Sequence, residues 1–104
     1  MIGRYLLSVR ANVSPEREAE FNDWYNNDHL PKMQKFPGVV SAKRYQAIVS
    51  GDEYNYLAVY ELDSEESLQA LMASDFLKQM IAEYNEAFGA HSRRVRTAWR
   101  QIYP

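Results

Sequence analysis

His29 closes a run, Phe21-Asn22-Asp23-Trp24-Tyr25-Asn26-Asn27-Asp28-His29-Leu30-Pro31, that mixes titratable groups with large aromatic rings. An imidazole titrates near neutral pH, so it can take a proton from carbon or oxygen and return it. At helical spacing Phe21, Tyr25 and His29 fall in one i, i+4 row, with Trp24 and Asp28 in the adjacent row. His29 is therefore the candidate general acid and base, and Asp28, Asp23 and Tyr25 are its candidate partners. Asp28 can hold the ring's tautomer only where the helix end turns its carboxylate back, because adjacent helical residues point apart. A competing account makes His29 a helix terminator whose charged form favours the C-terminal dipole.

Other groups could complete such a site. The phenols of Tyr45, Tyr54, Tyr56 and Tyr60 can polarise a carbonyl or hold an enolate, and strand parity puts Tyr54, Tyr56 and Tyr60 in one stripe. Packing with wet hydroxyls is the plainer account of most of them. Phe21 and Trp24 read as core or pocket wall, and Trp99 and His91 join them as candidate ligand-facing residues. His91 follows Gly89-Ala90 and precedes Arg93, Arg94, Arg96 and Arg100. A solvated loop explains it simply; folded over a pocket it would be a second acid or anion-binding group. Arg94, Arg96 and Arg100 share a face that can bind a carboxylate or phosphate, although a solvated edge or an interface pairing is the commoner use of such a row.

Two histidines and no cysteine are a poor metal inventory, and the spacing of Asp23, Asp28 and His29 matches no ligand motif. No metal and no cofactor are expected. The lack of cysteine also excludes disulfides and thiolate nucleophiles from these residues and fits a cytoplasmic protein. No apolar run approaches the ~20 residues of a membrane span, and no signal-peptide pattern opens the sequence, so no membrane partner is expected. A net charge of -2 over 104 residues exerts no general pull on nucleic acid. The length predicts one domain spanning residues 1–104.

The elements that would position these residues are legible from periodicity. Tyr5 to Asn12 alternates as a strand. Ser14-Pro15 starts a helix that runs to His29, Leu30-Pro31 signals a break or kink, and Lys32 to Lys35 form a further short turn. Strands are predicted over Val39 to Val49 and Tyr54 to Leu62, joined by a hairpin at Ser50-Gly51-Asp52-Glu53. Asp63 with Glu66 resembles a capping box for a second helix, Ser74-Asp75 restarts it, and Gly89 ends it. Ser92 to Tyr103 is the last strand.

This βαββαβ order makes an α+β, ferredoxin-like subunit: a four-stranded antiparallel sheet with its helices on one face. On the third strand, Leu57 and Val59 oppose Tyr54, Tyr56, Ala58, Tyr60 and Leu62, so both faces are apolar or aromatic. A solvated sheet face reads polar at alternate positions. The second face is therefore expected to be buried against the same face of another copy, in a symmetric homodimer.

The pattern Phe21-x-x-Trp24-Tyr25-x-x-Asp28-His29-x-Pro31, then Pro37-Gly38-Val39 and a strand ending near Arg44-Tyr45, resembles the EthD-like branch of the dimeric α+β barrel superfamily. That resemblance implies a ferredoxin-like subunit, a sheet-to-sheet homodimer and a pocket between sheet and helices. The superfamily includes polyketide cyclases, muconolactone-type isomerases, cofactor-free monooxygenases and haem-degrading proteins. Haem-degrading members look to a His on the second helix and a Trp on the third strand, and this sequence has neither. Cyclase-like members use a His on the final strand, where this sequence offers only His91 at its threshold.

Two functions are compatible with these residues. One is a cofactor-independent enzyme moving a proton on a small cyclic, aromatic or polyketide-like carbonyl compound, as an isomerase, cyclase or lyase, with an oxygen-using variant. The other is a non-catalytic accessory protein that binds a hydrophobic metabolite in the same pocket. Tyr54-Asn55-Tyr56-Leu57 faintly echoes the aromatic motif of RNA-recognition modules, but Glu53 stands where their basic-Gly lead belongs. No nucleic-acid partner is expected.

Overall fold

A computed structural model describes residues 4–104. β1 (Tyr5–Ala11) lies inside a four-stranded sheet, flanked by β3 (Tyr56–Leu62) and β4 (Arg94–Arg100), with β2 (Val39–Gln46) beyond β3. All three pairings are antiparallel. Strand alternation sends Leu7, Val9 and Ala11 to one face with Tyr56, Ala58, Tyr60 and Leu62, all buried. The helices cover that face and complete the core through Phe21, Tyr25, Leu71, Tyr84 and Phe88. The ferredoxin-like α+β architecture expected from the element order is the architecture present.

The first helical segment differs from expectation at one point, and the difference shapes the site. A 3₁₀ turn at Pro15–Arg17 leads into α1 (Glu18–Trp24), a π turn over Tyr25–His29, and α2 (Leu30–Gln34). Of the break or kink expected at Leu30-Pro31, the chain shows no break: the helix runs on, with a π turn just before Pro31. Pro31 sits in the first turn of α2, where proline's fixed φ is already helical and its missing N–H is least costly. The Leu30 N–H reaches back five residues to the Tyr25 carbonyl, so the ladder widens just before the residue that cannot donate.

Three further boundaries move for local reasons. β2 and β3 stop short of their predicted hairpin ends, because the Asp52 carboxylate accepts the Tyr54 N–H (2.8 Å) that would otherwise enter the ladder. Ile48 and Val49 are left 98% and 91% exposed. The cap of α3 (Glu65–Met72) is Ser64, whose hydroxyl accepts the Ser67 N–H, and not Asp63, whose carboxylate accepts the Ser67 hydroxyl at 2.5 Å. β4 ends at Arg100. Ser74 caps α4 (Asp75–Phe88) and Gly89 closes it, as the sequence indicates.

Gly38 is the one described glycine that needs its freedom. Its φ of 94° lies in the left-handed region, and a Cβ there would stand 2.4 Å from the Ser67 hydroxyl. The turn into β2 can therefore press against the start of α3.

The opposite sheet face is bare in the single chain. Leu6, Leu57, Val59 and Trp99 line an open groove of about 760 Å³ rimmed by Arg4, Arg10 and Glu61. Trp99 is 54% exposed there, with its indole N–H donated to the Ser8 hydroxyl at 2.7 Å.

Candidate functional site

Between the sheet and the helices lies a small cavity of about 20 Å³. The first helical segment contributes Tyr25, His29 and Met33; α4 contributes Leu77, Met80, Ile81 and Tyr84. The floor is Leu7, Val9 and Tyr60, and Arg94 and Arg96 of β4 close the side. A space of this size holds about one water molecule. A ring-sized ligand therefore requires the adaptable Met33 and Met80 side chains and the half-exposed Arg94 to give way.

Three buried side-chain polar atoms have no hydrogen-bond partner among the described residues: His29 Nδ1, Tyr60 Oη and Arg96 Nε. All three residues line this cavity. A buried group left unpaired costs about 1–3 kcal/mol, so these three are wall groups with hydrogen-bonding capacity to offer a water or a ligand.

Their protonation states follow from burial. His29 is pushed down to about 4, first by burial and then by the nearby Arg94 guanidinium, against the opposing pull of Glu83 and Asp28. At neutral pH it is an uncharged imidazole. Burial raises Tyr60 and Tyr25 far above the usual phenol range, so both remain hydroxyl donors. Burial and the adjacent Arg94 lower Arg96 from its ordinary value.

Aromatic packing holds the imidazole. Trp24 stacks on His29 at 4.7 Å between centroids and 20° between planes, and Tyr25 meets it edge-on at 5.1 Å. The carboxylates proposed as orienting partners are engaged elsewhere. Asp28 pairs with Lys32 at 3.2 Å, and Lys32 also reaches Glu83. The exposed Asp23 accepts from the Asn27 amide at 2.8 Å. Neither bonds to His29, because the helical twist sends them to solvent while His29 turns inward.

The other candidates scatter. Phe21 is fully buried beneath Tyr25 but does not line the cavity. Tyr56 lies on the helix-covered face, where its hydroxyl bonds to Glu18 and accepts from Asn22 and Gln46. Tyr45 and Trp99 stand on the opposite sheet face, separated from His29 by the sheet itself. His91 lies in the loop before β4, in a surface crevice with Asn12, Glu53 and Arg93. Of the aromatic, acidic and histidine residues singled out from sequence, His29, Tyr25 and Tyr60 line the cavity and Trp24 stacks on His29 behind it.

Sequence reasoning missed Tyr84 and did not assign Arg94 and Arg96 to the site. Arg94 lies 3.7 Å over the Tyr84 ring, and Arg96 stands two residues further along the same face of β4. The shared face of these arginines was the available signal. On the far flank, Arg44 stacks 4.4 Å from the Tyr25 ring while donating to Asn22 and Asn26 at 2.9 Å each. That clamp fixes one wall.

The ferredoxin-like fold is shared with several solved structures. The chain is similar to an ethyl tert-butyl ether d (EthD) family protein from Bacillus halodurans, with 21% identity, a TM-score of 0.73, and coverage of 97% of this chain and 100% of that one. It is similar to SnoaB, a cofactor-independent oxygenase from Streptomyces nogalater, with 14% identity, a TM-score of 0.71, and coverage of 97% and 95%. HapK from Hahella chejuensis matches with 16% identity, a TM-score of 0.69, and coverage of 96% and 94%. These likenesses establish the fold, in line with the EthD-like resemblance of the first helix. The chain belongs to the family described as a domain of unknown function, DUF4286, whose model matches residues 4–102. No curated protein matches it. No helix among the described residues is long and apolar enough to cross a membrane.

Proposed function

We propose that this chain is a cofactor-independent enzyme that moves a proton on a small cyclic or aromatic carbonyl compound, as an isomerase, cyclase or lyase. The observation that supports this reading is that His29, Tyr60 and Arg96, each with a buried polar atom unpaired among the described residues, line one cavity with mostly apolar walls. The neutral imidazole takes a proton from the carbon beside the carbonyl. The C–H electron pair moves into the carbonyl system, and the Tyr60 hydroxyl donates to the oxygen that becomes anionic. His29 then returns the proton to the carbon where the product needs it. Tyr25, one of the partners the sequence offered, and Trp24 hold the ring in place, and Asp28 and Asp23 do not.

An oxygen-using variant has one observation in its favour, the likeness in fold to SnoaB. The same deprotonation would give a carbanion that reacts with dioxygen, so both readings need the same base. The bare apolar sheet face supports a homodimer through that face, leaving the helix-side cavity to each subunit. A binding protein without chemistry would use the same cavity but would not need His29 as a base.

The test is deuterium incorporation from heavy water into a panel of cyclic and aryl ketones, neutral (α-tetralone) and carboxylated. Wild type is expected to catalyse exchange on at least one member, with His29→Ala lowering the rate by roughly 10²–10⁴-fold and Tyr60→Phe lowering it less. A loss below about tenfold in His29→Ala rules out the general base.

A further inference from the structure

Arg94 and Arg96 close the cavity with two guanidinium groups and no carboxylate between them. Five other arginines, Arg4, Arg10, Arg17, Arg93 and Arg100, each meet a Glu or Asp, and Arg44 is held by the side-chain oxygens of Asn22 and Asn26. The chain carries 14 acidic residues against 12 basic ones, so partners are not scarce. Yet among the described residues Arg94 has only the Asn85 side-chain amide oxygen at a long 3.4 Å and the Tyr84 ring beneath it, and Arg96 Nε is buried and unpaired. Two residues apart on the helix-facing side of an edge strand, their Cα atoms stand about 7 Å apart. Bringing like charges this close, one of them partly out of water, is unfavourable unless an anion joins them.

Building on the proton-transfer reading above, we propose that the substrate is a cyclic or aromatic carboxylate, its ring against Tyr60 and the methionines and its carboxylate held by Arg96 and Arg94. A carboxylate is flat and matches the guanidinium fork with two parallel hydrogen bonds. It leaves the ring to the apolar part of the cavity, which opens for it when Met33 and Met80 move aside. A phosphate ester would bring a larger tetrahedral dianion into a narrow space. The arrangement has a mechanistic consequence. Arg94 is the positive group that most weakens His29 as a base, so an anion on Arg94 cancels that effect and strengthens the base only when substrate is bound.

The experiment is a calorimetric titration of the whole protein with benzoate, benzamide and phenyl phosphate. Benzoate is expected to bind at least tenfold more tightly than its neutral isostere benzamide, and more tightly than phenyl phosphate. Arg96→Gln is expected to abolish the benzoate preference, Arg96→Lys to keep part of it, and Arg100→Gln, which removes a group paired with Glu65, to leave it intact. Equal binding of benzoate and benzamide, tighter binding of phenyl phosphate, an unchanged preference in Arg96→Gln, or no benzoate binding would each overturn the proposal. The wild-type comparison needs no variant to fold. His29-dependent exchange on neutral ketones, without any benzoate preference, would sink this inference and leave the proton-transfer reading standing.

Discussion

The imidazole of His29 lies flat on the indole of Trp24, five residues earlier in the same helical segment. In a regular α-helix such residues point in clearly different directions. The π turn over Tyr25–His29 removes that divergence, and π turns inside helices are frequent at functional sites. Nδ1 of the stacked ring is buried without a hydrogen-bond partner among the described residues.

Trp24 is therefore a positioning residue. Trp24→Ala is expected to cost about 2 kcal/mol of stability, less than a fully buried Trp would because the ring is half-exposed. It should also lower kcat more than it raises KM. Trp24→Phe, which keeps an aromatic face, should recover most of kcat. Urea melts and steady-state kinetics on both variants separate the two effects, and an unchanged kcat in Trp24→Ala would deny the ring any orienting role.

Burial of a neutral His29 makes stability depend on pH. Its folded value of about 4 is below the 6.5 of the unfolded chain, so between those values the unfolded state binds more protons. The stabilisation is whole above 6.5 and is lost as pH falls toward 4, by an amount on the order of 3 kcal/mol. Arg94 adds to the depression, while Glu83 and Asp28 oppose it across Lys32. Urea melts at pH 7 and pH 4.5 should show this loss in wild type, and a clearly smaller one in His29→Gln.

Ligand binding should move the same titration upward. With benzoate on Arg94 and Arg96, the midpoint of the His29 ring nitrogens is expected to rise from near 4 toward neutrality. Nitrogen NMR of the imidazole with and without benzoate measures it. A midpoint that stays in place would show that the anion binds away from His29.

The fold was legible in the sequence because strand alternation and helix caps report on local structure that burial then reinforces. Tyr5 to Ala11, Ser74 and Gly89 behave as their residue types dictate. The site was legible only in part. His29, Tyr25 and Tyr60 stand out by residue type, but parity alone could not say which sheet face would be covered, so Tyr45 and Trp99 were grouped with them. The π turn had no sequence signal beyond Pro31, and it replaces the expected carboxylate partner of His29 with an indole. Arg94 and Arg96 look like any solvated basic row until the absence of a paired acid is seen in three dimensions.

The bare sheet face gives a prediction of its own. Trp99→Glu places a charge in the centre of the apolar groove and should shift the protein from dimer to monomer in sedimentation experiments, with the helix-side cavity still able to bind benzoate. A monomeric wild type would remove the reason for that face's composition.

Chemistry on the helix side of the sheet, in the cavity lined by His29, Tyr60 and Arg96, can be seen in a crystal structure with a bound carboxylated cyclic ketone. Ligand oxygen or carbon atoms are expected within about 3–3.5 Å of His29 Nδ1, Tyr60 Oη and the Arg96 guanidinium at once. A ligand seated instead in the open groove beside Trp99 and Leu57, with His29 untouched, would contradict it.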